Sequence, residues 1–204
     1  MVERDEAVAQ LSLLTGQDLH ALAQDYQVTV RTQTGAVNKG WAGHVFERYL
    51  GVPINSAQRP DFGGWELKSI PLKHLKNGRL AFKETMAITM IDPEQVADTA
   101  FENSHLLAKL RHAVCIARTV GSDVDAPSFI HSVTTLDLEG DLYDAVKRDY
   151  LAVQGCIRDP QRGFAALSGR MGVFIQPRTK GAGHGSTTRA FYARTAFLKR
   201  FIAL

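Results

Sequence analysis

Two acidic residues and a lysine lie close together between Asp61 and Lys68. Glu66 and Lys68 are two positions apart in a short apolar segment typical of a β-strand, so their side chains share one face. Asp61 precedes Gly63-Gly64, and glycines permit a turn that brings its carboxylate beside Glu66. Two such carboxylates, completed by water and a substrate phosphate, suit Mg²⁺.

This residue set predicts metal-dependent hydrolysis of a phosphodiester. Asp61 and Glu66 are the expected ligands of Mg²⁺, with Mn²⁺ as a substitute, and the metal would lower the pKa of the attacking water. Lys68 would orient that water and offset charge on the pentavalent phosphorus. The alternative is an exposed Glu/Lys pair on an edge strand, with no chemistry.

A helix before this segment is expected to support the site. Asn38 can cap its start, and Gly51 followed by Pro53 can end it. Its apolar positions form one broad face: Trp41, Val45, Phe46, Tyr49 and Leu50. Small residues and Glu47 lie along a flank of that face, where another backbone or a nucleic-acid strand can approach. Glu47 is therefore predicted to assist the metal site, directly or through water.

Several motifs in order resemble those of the MutH family, which holds the mismatch-repair nicking endonuclease and related type II restriction enzymes, many reading GATC. The motifs are Lys39-Gly40-Trp41-x-Gly43 leading to Glu47, Pro60-Asp61-Phe62, Glu66-Leu67-Lys68-Ser69-Ile70-Pro71, Ser104-His105-x-x-x-Lys109-Leu110 and Arg189-x-Phe191-Tyr192. The resemblance implies an α/β restriction-endonuclease-like fold, with a mixed central sheet flanked by helices and two lobes around a DNA cleft. It also implies catalytic roles for Asp61, Glu66 and Lys68, with Glu47 and Lys109 as auxiliary residues.

Positive charge is concentrated at the C-terminal end of the chain. The formal net charge is +3, yet no Asp or Glu follows Asp159. The eight basic residues beyond it are Arg162, Arg170, Arg178, Lys180, Arg189, Arg194, Lys199 and Arg200. This asymmetry indicates docking of a polyanion, and interleaved glycine, hydroxyl and aromatic residues favour nucleic acid. The alternative is a solvated basic face without a partner.

Within this segment we predict a DNA-recognition surface. Its members are Arg178, Lys180, His184 in a glycine-rich loop, Arg189 and Tyr192. Arginine can read guanine edges with two hydrogen bonds, while lysine and backbone amides mostly hold phosphate. The family resemblance implies base contacts around Arg178 and Tyr192. The glycine-rich sequence of this loop resembles the restriction enzymes more than the repair nickase. The alternative interpretation of the loop is a mobile hairpin tip.

Length and composition bound the class of protein. At 204 residues, 45% of them hydrophobic, the chain is expected to form one nuclease domain, with a catalytic lobe at about 27–120 and a DNA-recognition part at about 160–204. No apolar run is long enough for a membrane span, and the polar N-terminus is unlike a secretory signal. Cys115 and Cys156 are expected to be buried free thiols in a reducing cytoplasm.

The sequence therefore predicts a Mg²⁺-dependent, sequence-specific endonuclease of restriction type acting on double-stranded DNA at GATC-like sites. One alternative is a methylation-directed nicking endonuclease that works with a mismatch-repair partner. Another is a DNA-binding module without catalysis, and a third is an RNA-processing nuclease. Action as a homodimer on DNA and action as a monomer both stay open.

Overall fold

The structure is a computed structural model that describes residues 2–52, 60–181 and 187–204. The chain divides into two compact units, and each is assembled from separated stretches of sequence. The first unit comprises Met1–Glu84, Ala113–Leu136 and Leu204. The second comprises Thr85–His112 and Asp137–Ala203.

Helices and strands alternate along the described residues. The strands are β1 (Glu66–His74), β2 (Leu80–Phe82), β3 (Met86–Ile91), β4 (His112–Thr119), β5 (Ile130–Asp137), β6 (Ile175–Thr179) and β7 (Arg189–Ala193). The α-helices are α1 (Arg4–Ser12), α2 (Leu19–Asp25), α3 (Trp41–Tyr49), α4 (Pro93–Asp98), α5 (His105–Leu110), α6 (Gly140–Arg158) and α7 (Thr195–Leu198).

A four-stranded mixed sheet forms the centre of the first unit. Its strand order is β2-β1-β4-β5, with β1 antiparallel to β2 and parallel to β4. Apolar side chains from α1, α2 and α3 pack with residues of β1 and β4 in one core cluster. The register sets Leu67 opposite Val114, and both belong to that cluster, so this face of the sheet is covered by the helices.

Pro71 after the Glu66–Lys68 segment predicts the end of the strand, but β1 continues through Pro71 to His74. Proline lacks a backbone N–H, but this position needs only an acceptor, and the Pro71 carbonyl receives the Lys83 N–H at 2.9 Å. Beyond His74 the chain reverses at Asn77-Gly78, where Gly78 has a φ of 80°. That reversal is the hairpin turn that the Asn-Gly pair predicts.

The second unit contains an antiparallel sheet of order β3-β7-β6 and the long helix α6. The sequence predicts a strand from Met171, but β6 begins only at Ile175. The buried carboxylate of Asp149 on α6 accepts backbone N–H groups from Val173, Phe174 and Ile175 at 2.7–2.8 Å. The amides of Val173 and Phe174 therefore donate to a helix side chain rather than to a neighbouring strand, and β6 begins only at Ile175.

Two expectations drawn from composition can be compared with the structure. Cys115 and Cys156 are free and buried, as predicted. In the part of the chain that the structure describes, no helix combines the length and apolar character needed to cross a bilayer. The alternation of helices with a mixed and an antiparallel sheet confirms the α/β class.

Candidate functional site

Asp61 lies in a tight turn that leads directly into β1. Gly63 has a φ of 72°, a left-handed conformation that glycine adopts without steric cost. The Phe62 N–H closes the turn by donating to the Trp65 carbonyl oxygen at 3.1 Å. The backbone N–H of Asp61 then donates to Oε2 of Glu66 at 3.2 Å. The glycine turn thus brings the Asp61 backbone beside Glu66, and the predicted approach of the Asp61 carboxylate stays a prediction.

Glu66 and Lys68 form a close ion pair at the start of β1. Lys68 Nζ lies 2.5 Å from Glu66 Oε1. The Glu66 side chain is 1% exposed and that of Lys68 is 17% exposed. A carboxylate is costly to bury, so its retention here depends on the lysine and on backbone N–H donors. The alternative of a solvent-exposed Glu/Lys pair is therefore wrong.

The two faces of β1 separate polar from apolar side chains. Trp65 and Leu67 enter the core beneath α3, and the Trp65 ring stacks on Phe62 with centroids 3.8 Å apart. By strand alternation Glu66 and Lys68 occupy the opposite face. Cys115 lies opposite Lys68 in the parallel register. Burial raises the pKa of the Cys115 thiol to about 12, with Lys68 lowering it and Glu66 raising it further.

The two auxiliary residues lie on different helices. Glu47 is partly buried on α3, in the same unit as Asp61 and Glu66. Lys109 is 7% exposed on α5, which belongs to the second unit. The N-cap position of α3 is Gly40, whose N–H donates to the Asn38 side chain, so Asn38 lies two residues before the cap position. The auxiliary roles of Glu47 and Lys109 stay predictions.

The donor set can be tested against the metal that the sequence predicts. Among the residues described, no group of three or more His, Cys, Asp or Glu side chains is placed to hold an ion. Zinc or calcium would require such a cage, whereas Mg²⁺ uses one or two carboxylates with water and substrate phosphate. Asp61 and Glu66 fit this smaller requirement, because one turn joins them and the Asp61 backbone lies against the Glu66 carboxylate.

The predicted recognition residues lie at the β6–β7 hairpin of the second unit. The Arg178 guanidinium is 5.6 Å from the centroid of the Tyr192 ring, and its Nη1 donates to Thr85 Oγ1 at 2.8 Å. The register pairs Arg178 with Ala190, so Arg178 and Tyr192 emerge from the same face of the hairpin. The structure thus brings these two predicted residues together.

The other recognition candidates are placed differently. Arg189 is three positions from Tyr192 on β7 and emerges from the opposite face, where its guanidinium lies 6.0 Å from the Phe164 ring centroid. Lys180 follows β6, and its backbone N–H donates to the Thr188 carbonyl oxygen at 3.0 Å. His184 lies outside the described residues.

Sequence reasoning gave no role to Arg118, near the end of β4. Its guanidinium lies 5.1 Å from the centroid of the Trp41 ring, and it lines a cavity of about 430 Å³ in the first unit. The only sequence signal is one arginine closing an otherwise apolar strand segment, Ala113–Ala117. Such a residue is ambiguous until its neighbours from other elements are known.

Comparison with known proteins gives consistent matches. The family model for the DNA mismatch repair enzyme MutH matches residues 50–135. The type II restriction enzyme Sau3AI of Staphylococcus aureus is 39% identical over 74 residues, which are 35% of this chain and 15% of that protein. The DNA mismatch repair protein MutH of Vibrio vulnificus (strain YJ016) is 28% identical over 184 residues, covering 81% of this chain and 78% of the relative.

Among solved structures, the complex of the restriction endonuclease MvaI with its cognate DNA substrate is 14% identical, with a TM-score of 0.37 over 90% of this chain and 96% of that one. This likeness is too weak to carry an argument about the fold.

The family match and the mixed α/β core, with Glu66 and Lys68 on a strand behind the Asp61 turn, define the class of fold as restriction-endonuclease-like. The chain is similar to the MutH family over residues 50–135, and to mismatch repair and restriction relatives of that kind. It spans only 15% of the length of the restriction enzyme, so the activity of that whole enzyme is not assigned to this chain by the match alone.

Proposed function

We propose that this protein is a Mg²⁺-dependent, site-specific endonuclease that hydrolyses phosphodiester bonds in both strands of a DNA duplex at GATC-like sites. The observation that carries the proposal is the buried Glu66 carboxylate, which is shared between the Lys68 ammonium and the Asp61 amide. If the Glu66–Lys68 pair only stabilised the fold, no acidic residue would be needed on the glycine turn beside it. A metal-dependent nuclease requires all three residues together.

The chain's own groups account for each requirement of the reaction. Asp61 and Glu66 would hold the cation, which supplies a water of lowered pKa and neutralises the leaving oxygen. Lys68 Nζ, 2.5 Å from Glu66 Oε1, balances the charge of that carboxylate. Its ammonium would also orient the attacking water and offset charge on the phosphorus. Glu47 and Lys109 are proposed to support this centre.

A nicking endonuclease directed by methylation is the second candidate. It is favoured by the mismatch repair relative from Vibrio vulnificus, which covers 81% of this chain. The restriction enzyme relative has the higher identity, 39%, over a shorter segment that covers 35% of the chain. The chemistry at Asp61, Glu66 and Lys68 is the same in both candidates. They differ in whether one or both strands are cut and in the need for a partner protein.

Digestion of a plasmid of known sequence, methylated and unmethylated, tests the proposal directly. With Mg²⁺ or Mn²⁺ we expect linear DNA with ends at one repeated sequence, and no product in EDTA. Asp61→Asn should require more Mg²⁺ for half-maximal cleavage, because one ligand loses its charge. Single-strand nicks that a mismatch-repair partner stimulates would support the second candidate. Duplex binding without cleavage across a metal series would contradict both and leave a DNA-binding module.

A further inference from the structure

The cavity of about 430 Å³ in the first unit has the composition of an anion-binding site. It opens beside the start of α3 and the loop after β4, and its lining includes Arg118, Lys39, Lys83, His20, Trp41 and Ser128. Its volume falls in the range of ordinary small-molecule sites. The proposed catalytic residues Asp61, Glu66 and Lys68 are not among its lining residues.

Arg118 is held rigidly at this cavity by neutral groups. Its Nε donates to Ser69 Oγ at 3.1 Å, and its Nη1 donates to Ser128 Oγ at 2.9 Å. The guanidinium also lies over the Trp41 ring. Ser128 Oγ donates its own hydrogen to the Thr119 carbonyl oxygen at 2.7 Å, so it acts as an acceptor towards Arg118. These contacts orient the guanidinium and leave Nη2 available to a ligand.

Arg118 donates its hydrogen bonds to neutral hydroxyl groups. Among the described residues, no Asp or Glu lies within ion-pairing distance of Arg118. Burial lowers the pKa of Arg118 to about 10, and Glu84 at longer range opposes that shift. A partly buried cation that is hydrogen-bonded to hydroxyl groups rather than to a carboxylate is costly to retain in a stable fold. An anion supplied from outside would remove that cost.

The surrounding groups favour an anion over a cation. Lys39 and Lys83 are exposed at the cavity. Two exposed acidic residues also line it: Glu84, and Asp123, which is 3.6 Å from Arg31. His20 stacks against Trp41 with centroids 4.6 Å apart. Its Nε2 is buried and has no hydrogen-bond partner in the described part of the chain. The cavity therefore offers three cationic side chains against two carboxylates, and an imidazole nitrogen whose hydrogen-bonding capacity is unused.

We propose that this cavity binds a phosphate group, held by the Arg118 guanidinium and the Lys83 ammonium, and that a duplex DNA strand supplies it at a position separate from the bond that is cut. Arginine suits phosphate because its planar N–H groups match the phosphate oxygens, and lysine adds a flexible charge. The phosphate site is inferred from the residues of the cavity. Its assignment to a DNA strand rests on the proposed nuclease function.

The strand geometry separates this site from the catalytic pair. Arg118 reaches Ser69, which alternates with Lys68 along β1 and emerges from the opposite face of the sheet. A phosphate at Arg118 is therefore a different group from the one that Glu66 and Lys68 would attack. Holding a second phosphate would fix the register of the strand relative to the catalytic residues.

Duplex binding by the full chain, measured in EDTA over a series of salt concentrations, tests the DNA assignment. Each phosphate contact contributes roughly 0.9 to the slope of log affinity against log salt. We expect Arg118→Gln and Lys83→Gln each to reduce the slope by about one, as the loss of one phosphate contact does. Lys83 is exposed, so its variant should fold even if Arg118→Gln does not. Arg48→Gln removes one exposed charge from α3 and should leave the slope unchanged.

A second arm uses inorganic phosphate without DNA, read by tryptophan fluorescence because Trp41 lines the cavity. Wild type and Arg48→Gln should respond at the same phosphate concentration, whereas Lys83→Gln should need several-fold more. A phosphate response with an unchanged salt slope would support the site and assign it to free phosphate. Failure of wild type to bind duplex DNA would contradict the nuclease proposal. The titration with inorganic phosphate would then still decide whether the cavity binds phosphate. No phosphate response together with no change in slope would overturn it.

Discussion

A single hydrogen bond of 3.2 Å joins the backbone amide of Asp61 to the carboxylate of Glu66. The donor lies in a glycine turn and the acceptor on a strand, so the bond fixes the approach of the turn to the sheet. Because Lys68 donates to the other carboxylate oxygen, both oxygens of Glu66 have hydrogen-bond donors.

Lys68→Ala should abolish plasmid cleavage and leave duplex binding largely intact. The ammonium is proposed to act on the water and the transferring phosphorus, and removing such a group should slow cleavage by at least about a hundredfold. Cleavage is measured with Mg²⁺, and binding with the same duplex in EDTA. Lys147→Ala is the matched control, because Lys147 is also 2.5 Å from a glutamate, Glu102, but at an exposed position. Normal cutting by Lys68→Ala would contradict the catalytic assignment.

Burial of the Glu66–Lys68 pair should make its stability contribution non-additive. Lys68→Met leaves a carboxylate that is 1% exposed without its counter-charge, so the free energy of unfolding should fall by about 3–5 kcal/mol. Adding Glu66→Gln removes that charge and should recover most of the loss. Urea unfolding of the metal-free proteins measures both changes. Equal losses in the single and double variants would show that the pair is not electrostatically coupled.

Arg178 and Tyr192 should act as one unit in duplex binding. Their cation–π contact predicts that the two alanine substitutions are non-additive by about 0.5–1 kcal/mol in the free energy of binding. Arg178 and Arg189 emerge from opposite faces of the hairpin, so their substitutions should add within about 0.5 kcal/mol. Fluorescence anisotropy with a cognate duplex measures both cycles. Coupling of Arg178 to Arg189 instead would contradict this geometry.

Cys115 should stabilise the fold in a pH-dependent way. Burial raises its pKa from the ordinary value of 9.0 to about 12, so the unfolded chain loses this proton at lower pH than the folded protein. The associated stability is fully present below pH 9 and decreases as pH rises from 9 towards 12. The difference in unfolding free energy between wild type and Cys115→Ala should therefore decrease above pH 9 by about 1.4 kcal/mol per pH unit. A difference that stays constant across this range would contradict the assignment.

The site segment was predictable because its determinants are local. Alternation on one strand places Glu66 beside Lys68, and a glycine turn of a few residues brings the Asp61 backbone to Glu66. The apolar spacing from Trp41 to Leu50 likewise predicts α3, which the structure places at Trp41–Tyr49. In each case the residues that decide the conformation lie within about one turn or strand length of each other.

Features that depend on contacts between residues far apart in the sequence were not predicted. The start of β6 is set by Asp149, 24 to 26 residues earlier, which takes the amides a longer strand would use. The setting of Arg118 depends on Ser69, Ser128 and Trp41, contributed by three other parts of the chain. Neither contact leaves a periodic signal in the sequence, so only the assembled fold shows them.

The interleaving of the two units limits how this protein can be recombined. Each unit is built from separated stretches, since the chain leaves the first unit at Glu84, returns at Ala113 and leaves again at Leu136. A chimera with a relative joined at one point would therefore mix parental residues inside at least one unit. Exchange of the whole second unit, which carries the Arg178 hairpin, as an intact module requires several matched junctions. Target preference should consequently diverge by substitution within the hairpin more readily than by shuffling of gene segments.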